Sequence, residues 1–144
     1  MTTMPEDDKK ATGFSDAEKA AMREHAKELK PSKLSGEEMI QEKIAEMPEP
    51  DRATAERLHT IIKENAPMLT PKTWYGMPAY ANAEGKVVCF FQPASKFGAR
   101  YGTLGFNDPA KLDDGTFWPN AYALTELTPA VEAEIAELVK KAVR

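Results

Sequence analysis

Two histidines, one cysteine and a scatter of carboxylates are what this chain offers to acid–base or covalent chemistry. His25 lies in a Glu- and Lys-rich stretch and reads as solvated. His59 flanks an apolar stripe and reads as a half-exposed surface residue. Cys89 sits inside Val87-Val88-Cys89-Phe90-Phe91, a setting that makes a thiol buried and inert. One thiol forms neither an internal disulfide nor a multi-cysteine zinc site. Nucleophilic catalysis needs a nucleophile within reach of a base, and no local motif supplies that pair. No glycine-rich segment precedes a helix as a phosphate loop requires. Gly98, Gly102 and Gly105 fall in an extended run, where glycine marks bulges or close backbone approach. The expectation is a binding protein, not an enzyme.

Carboxylates offer a second chemistry. Asp108, Asp113 and Asp114 are hard oxygen donors in loops, with Glu126, Glu132, Glu134 and Glu137 following. Such donors suit Ca²⁺, Mg²⁺, Mn²⁺ or ferrous iron, weakly when few converge. Their spacing matches no calcium loop, and Asp-Asp-Gly is also ordinary turn chemistry, so a solvated acidic face competes with the metal reading.

The third chemistry is aromatic. "KTWYGMPAY" concentrates Trp74, Tyr75, Met77, Pro78 and Tyr80, and with Arg100 and Trp118 these could line a concavity for a small ligand or a peptide. The same region is locally basic, through Lys72, Lys86, Lys96, Arg100 and Lys111. Single-strand nucleic-acid binders combine bases with aromatics in this way. However, "KFGARYGTLGF" does not follow the order of an RNA-recognition sheet, and a net charge of −4 opposes phosphate tracking. A small anion near Arg100 or Lys72 fits this part of the sequence better.

These residues need elements to hold them. Phe14 is the only aromatic before residue 49, and all the others lie between residues 70 and 124. The middle of the chain must therefore supply most of the core. Residues 1–13 are polar and read as disordered. Ser15 with Glu18, and Ser35 with Glu38, are capping boxes opening helices to about Lys30, stopped by Pro31, and to about Met47. Asp51 is placed to cap a third helix, on which Ala55, Leu58, Ile61 and Ile62 recur at helical spacing. Thr73–Tyr80 reads as a first strand, with Pro78 marking an edge, a bulge or a cis bond. Lys86–Gln92 is apolar on both faces, as a central strand is. Phe97–Phe106 and Thr116–Leu124 read as further extended segments, separated by a helical turn that Asn107-Asp108-Pro109 caps. Thr128-Pro129 opens a last helix with glutamates early and Lys140, Lys141 and Arg144 late, as the helix dipole favours. The expected fold is α+β: an antiparallel sheet of four to five strands packed against helices, with a closing C-terminal helix and extra N-terminal helices.

"DRATAERLHTIIKENAP", "PKTWYGMPAYANAEGKVVCFF", "LGFNDPAKLDDG" and "WPNAYAL", together with the last helix, resemble the YdhG-like family over about residues 51–143. Some of its members are described as frataxin-like intracellular iron chaperones. The resemblance implies an α+β domain over 51–144, a bacterial cytoplasmic location, no catalytic residues and a role for ferrous iron. It leaves residues 14–50 as a helical extension. No ligand set transfers with it. No apolar run reaches the roughly 18 residues of a spanning helix, so no membrane partner is expected, and the chain is expected to be a monomer.

Overall fold

The computed structural model describes residues 14–30 and 34–144. The disorder expected for residues 1–13 and the stop expected at Pro31 lie outside them. Helix α1 spans Asp16–Glu28, α2 spans Gly36–Glu46, and both capping boxes are formed. Helix α3 spans Asp51–Asn65. Asp51 does not cap it: Pro50 holds the N-cap position, and the Asp51 carboxylate instead accepts from the backbone N–H of Ser95 at 3.0 Å. The chain then forms β1 (Thr70–Trp74), β2 (Met77–Ala81), β3 (Val87–Gln92), β4 (Gly102–Phe106) and β5 (Ala121–Leu124). Helix α4, Pro129–Ala142, closes the fold, with the Thr128 hydroxyl accepting from the Val131 N–H.

The sheet is an antiparallel meander in the order β1-β2-β3-β4-β5, so the Val- and Phe-rich segment is central, as its two apolar faces require. The fold is α+β, a five-stranded sheet against helices. The two strands expected after residue 96 are shorter than their extended sequences. Phe97–Tyr101 is irregular, Thr116–Asn120 is loop, and Asn107–Ala110 forms a turn, not a helix.

The aromatic stretch "KTWYGMPAY" departs most from its expected structure. Thr73–Tyr80 is not one strand but a hairpin. Trp74 pairs with Met77, and Tyr75-Gly76 is the two-residue turn, with φ of 54° and 79°. Positive φ at both positions defines the turn whose twist matches its flanking strands. Pro78 therefore lies in a strand with neighbours on both sides. Its missing donor is tolerated because the β2–β3 pairing starts one residue later, at Ala79–Phe90. The cis peptide bond is at Glu49-Pro50, not at Pro78.

Strand pairing sorts the side chains into two faces. Tyr80, Cys89, Phe91, Leu104 and Phe106 point to one, where Ile40 and Ile44 of α2, Leu58 and Ile62 of α3, and Ile135 and Val139 of α4 complete the core. Met77, Ala79, Phe90 and Gly105 point to the other. Gly36 opens α2 so close to β1 that a Cβ would meet the Pro71 carbonyl oxygen. The β1 edge is thereby covered by helix.

Candidate functional site

The second face of the sheet carries the site. Only α1 crosses it, and α1 buries a single residue, Ala21. A groove of about 370 Å³ remains between them. Phe14, Ala21 and Met22 form one wall, Trp74, Met77 and Phe90 the floor, and Phe97 the far rim. Trp74 and Phe90 lie with ring centroids 5.2 Å apart, and Trp74 meets Tyr75 edge-on at 5.1 Å. A side chain at position 105 would run into the Phe90 ring, so Gly105 lets that ring lie down on the sheet. Met22 is 46% exposed and Phe97 38%, an apolar surface left open to water. The polar side chains in the lining are Glu18, Tyr75 and Gln92.

The hairpin turn fixes one end of this groove. A tyrosine at positive φ is sterically unfavourable by roughly 1–2 kcal/mol. Glu28 and His25 of α1 hold it there, and an ion pair ties α1 to α2. The Glu28 carboxylate accepts from the backbone N–H groups of Tyr75 and Gly76, at 2.8 and 2.9 Å. The His25 ring stacks on Tyr75, centroids 4.0 Å apart and nearly parallel. Lys43 of α2 pairs with Glu24 of α1 at 2.6 Å. The hydrogen bond from Lys43 holds the Glu24 carboxyl below its ordinary value, and the same pairing overcomes burial to raise Lys43. His25 is therefore part of the turn clamp and not a solvated residue. Its Nδ1 is buried without a hydrogen bond among the described residues, 3.5 Å from Glu28 Oε1.

His59 is likewise not a surface residue: it is 6% exposed. Its Nε2 meets Glu37 Oε2 at 2.7 Å and its Nδ1 meets the Tyr80 hydroxyl at 2.8 Å. A carboxylate only accepts, so the Nε2 that meets Glu37 carries a proton, while Nδ1 and the Tyr80 hydroxyl share the second hydrogen bond. Burial works against the Glu37 charge, but hydrogen bonds from Gln41, His59 and Lys63 outweigh it and bring its pKa down to about 2. Burial pushes the Tyr80 phenol far up and the Cys89 thiol up to about 12. The Glu37–His59–Tyr80 chain runs from a part-exposed carboxylate into the core and ties α2, α3 and β2 together.

The expected site residues are thus divided. Trp74, Tyr75 and Met77 line the groove. Pro78 and Tyr80 face the helices as core. Arg100 borders a separate polar cleft of about 310 Å³ with Asp51, Ser95 and Tyr101. Its guanidinium lies 5.3 Å from the Tyr101 ring centroid. Trp118 packs against the core near the C-terminal helix. Asp108, Asp113 and Asp114 are exposed in the loop between β4 and β5. Among the described residues, no group of three or more His, Cys, Asp or Glu side chains is placed to hold a metal ion. Phe14, Glu18, Ala21, Met22, Phe90, Gln92 and Phe97 also line the groove and were not among the residues expected to form the concavity. For Phe90 a signal existed: its alternation against Cys89 and Phe91 puts it on the opposite face.

No family model, no curated protein and no solved structure matches this chain.

Proposed function

We propose that this protein is a binding module, without chemistry of its own, that takes a small, neutral, largely apolar molecule in the groove between α1 and the open sheet face. The observation that supports this is the lining. Seven apolar side chains, Phe14 just before α1 and six from α1, the hairpin, β3 and the 93–101 loop, converge on one groove, and its few polar groups lie among them. About 370 Å³ falls at the low end of the range for small-molecule sites. Among the described residues no cation lines the groove, so an anionic ligand has no counter-charge from them. Gln92 can accept or donate to a single hydroxyl or amide on the ligand. Asp108, Asp113 and Asp114, the residues tied to the iron reading, lie outside this groove.

Affinity should be modest. At roughly 0.3–0.6 kcal/mol per non-hydrogen atom, a probe of about eight such atoms gains about 2.5–5 kcal/mol, a Kd near millimolar. Benzyl alcohol is such a probe. In a Trp118→Phe background, Trp74 is the sole tryptophan, and its emission should change saturably with benzyl alcohol. Met22→Glu and Phe97→Glu, at exposed positions, should each weaken that response about tenfold with the fold intact. A response that both variants leave unchanged would contradict the reading. Saturation only by an apolar peptide would move the ligand class from small molecule to chain.

A further inference from the structure

The sheet ends at β5, and among the described residues no strand pairs with its outer edge. We infer that β5 is the contact edge of a two-fold symmetric homodimer, in place of the monomer expected from sequence. This inference does not depend on the groove, which lies at the other end of the sheet.

Backbone geometry is the first support. The Phe106 N–H donates to the Asn120 carbonyl, and Leu104 pairs with Tyr122 two residues further along. In an antiparallel ladder, bonded and non-bonded pairs alternate, so the N–H and C=O groups of Ala121 and Ala123 point away from β4. Both alanines are exposed. Natural edges are usually blunted by charge, proline or a bulge, and "AYAL" contains none of these. A second β5, antiparallel and centred on Tyr122, would place Ala121 against Ala123 of its copy and satisfy all of those groups.

Side chains give the second support. Beside β5 lies an apolar groove of about 490 Å³, formed by Tyr122 with Ala133 and Leu138 of α4 and rimmed by Glu134, Glu137 and Lys141. Phe117, four residues before the strand, is 93% exposed. A two-fold axis makes the two α4 helices antiparallel. With the axis passing between Glu137 and Leu138, the acidic Glu134 of one copy faces the basic Lys141 of the other, and Glu137, which approaches its own copy, keeps Lys140 as its partner at 3.2 Å. The Glu134 and Lys141 ends of this rim are complementary under the two-fold.

Sedimentation velocity from micromolar to millimolar concentration tests this on the full chain. The wild type should pass from monomer to dimer. Ala123→Pro removes an outward N–H without touching the β4 ladder and should abolish the dimer. Glu134→Lys should raise the dissociation constant about tenfold, as should Lys141→Glu, and the double variant E134K/K141E should return to within about threefold of wild type. The charge variants keep the proposal testable if the proline variant fails to fold. A chain that stays monomeric to millimolar concentration, because the edge takes another protein's strand or nothing, overturns the proposal. So does a dimer on which neither the proline nor the charge reversals act.

Discussion

Tyr80 shows how a residue that reads as a ligand contact becomes a structural tie. Its hydroxyl hydrogen-bonds His59 Nδ1, whose Nε2 donates to Glu37, and the ring fills the core at 2% exposure. Tyr80→Phe keeps the ring but leaves His59 Nδ1 buried without its partner. The expected cost is about 1–3 kcal/mol, read as a lower urea midpoint with an unchanged m-value. Glu37 makes the same tie sensitive to acid. Its pKa is about 2 in the folded chain against an ordinary 4.5, so the stabilisation is fully present above about pH 4.5 and is lost as pH falls toward 2. The side chain is 37% exposed, and solvent screening holds the effect to about 1 kcal/mol. Thermal melts across this range should show a slope that Glu37→Gln reduces. Neither residue's role was legible in the sequence. His59 and Glu37 are 22 positions apart and on different helices, and only the packing of α2 against α3 brings them together.

At the scale of elements, the sequence was most legible where local chemistry dominates. The Ser15 and Ser35 capping boxes, the Val87–Gln92 strand and the Thr128-Pro129 helix start all follow from side chains acting within a few residues. The hairpin was hidden because its turn is Tyr75-Gly76. Tyrosine is not a turn residue, and what holds it at positive φ comes from α1, some 47 residues earlier. That dependence gives a prediction about α1. Glu28→Ala leaves the N–H groups of Tyr75 and Gly76 without their acceptor and releases the end of a helix that buries only Ala21. Amide hydrogen exchange should rise at least about tenfold across residues 16–28 while α3 and β3 keep their protection. Loss of protection throughout would mean that α1 is part of the cooperative core and does not form a separable wall of the groove.

For the whole molecule, the five-stranded sheet divides the labour between its faces. One face is filled by α2, α3 and α4 and sets stability. The other is partly covered by α1 and leaves an apolar groove. The aromatic stretch contributes to both faces, because successive residues of a strand point to opposite sides: Trp74 and its partner Met77 reach the groove beside Tyr75 of the turn, and Pro78 and Tyr80 reach the core. The most direct test of the groove as a ligand site uses the methionines, which are distributed as internal controls. Met22 and Met77 line the groove, Met47 is in the core, and Met68 is exposed elsewhere. With methyl-¹³C methionine and benzyl alcohol titrated to millimolar concentration, the Met22 and Met77 methyl resonances should shift along one saturating curve while Met47 and Met68 stay in place. Met22 and Met77 methyls that do not move, or four methyls that move alike without saturating, would contradict it.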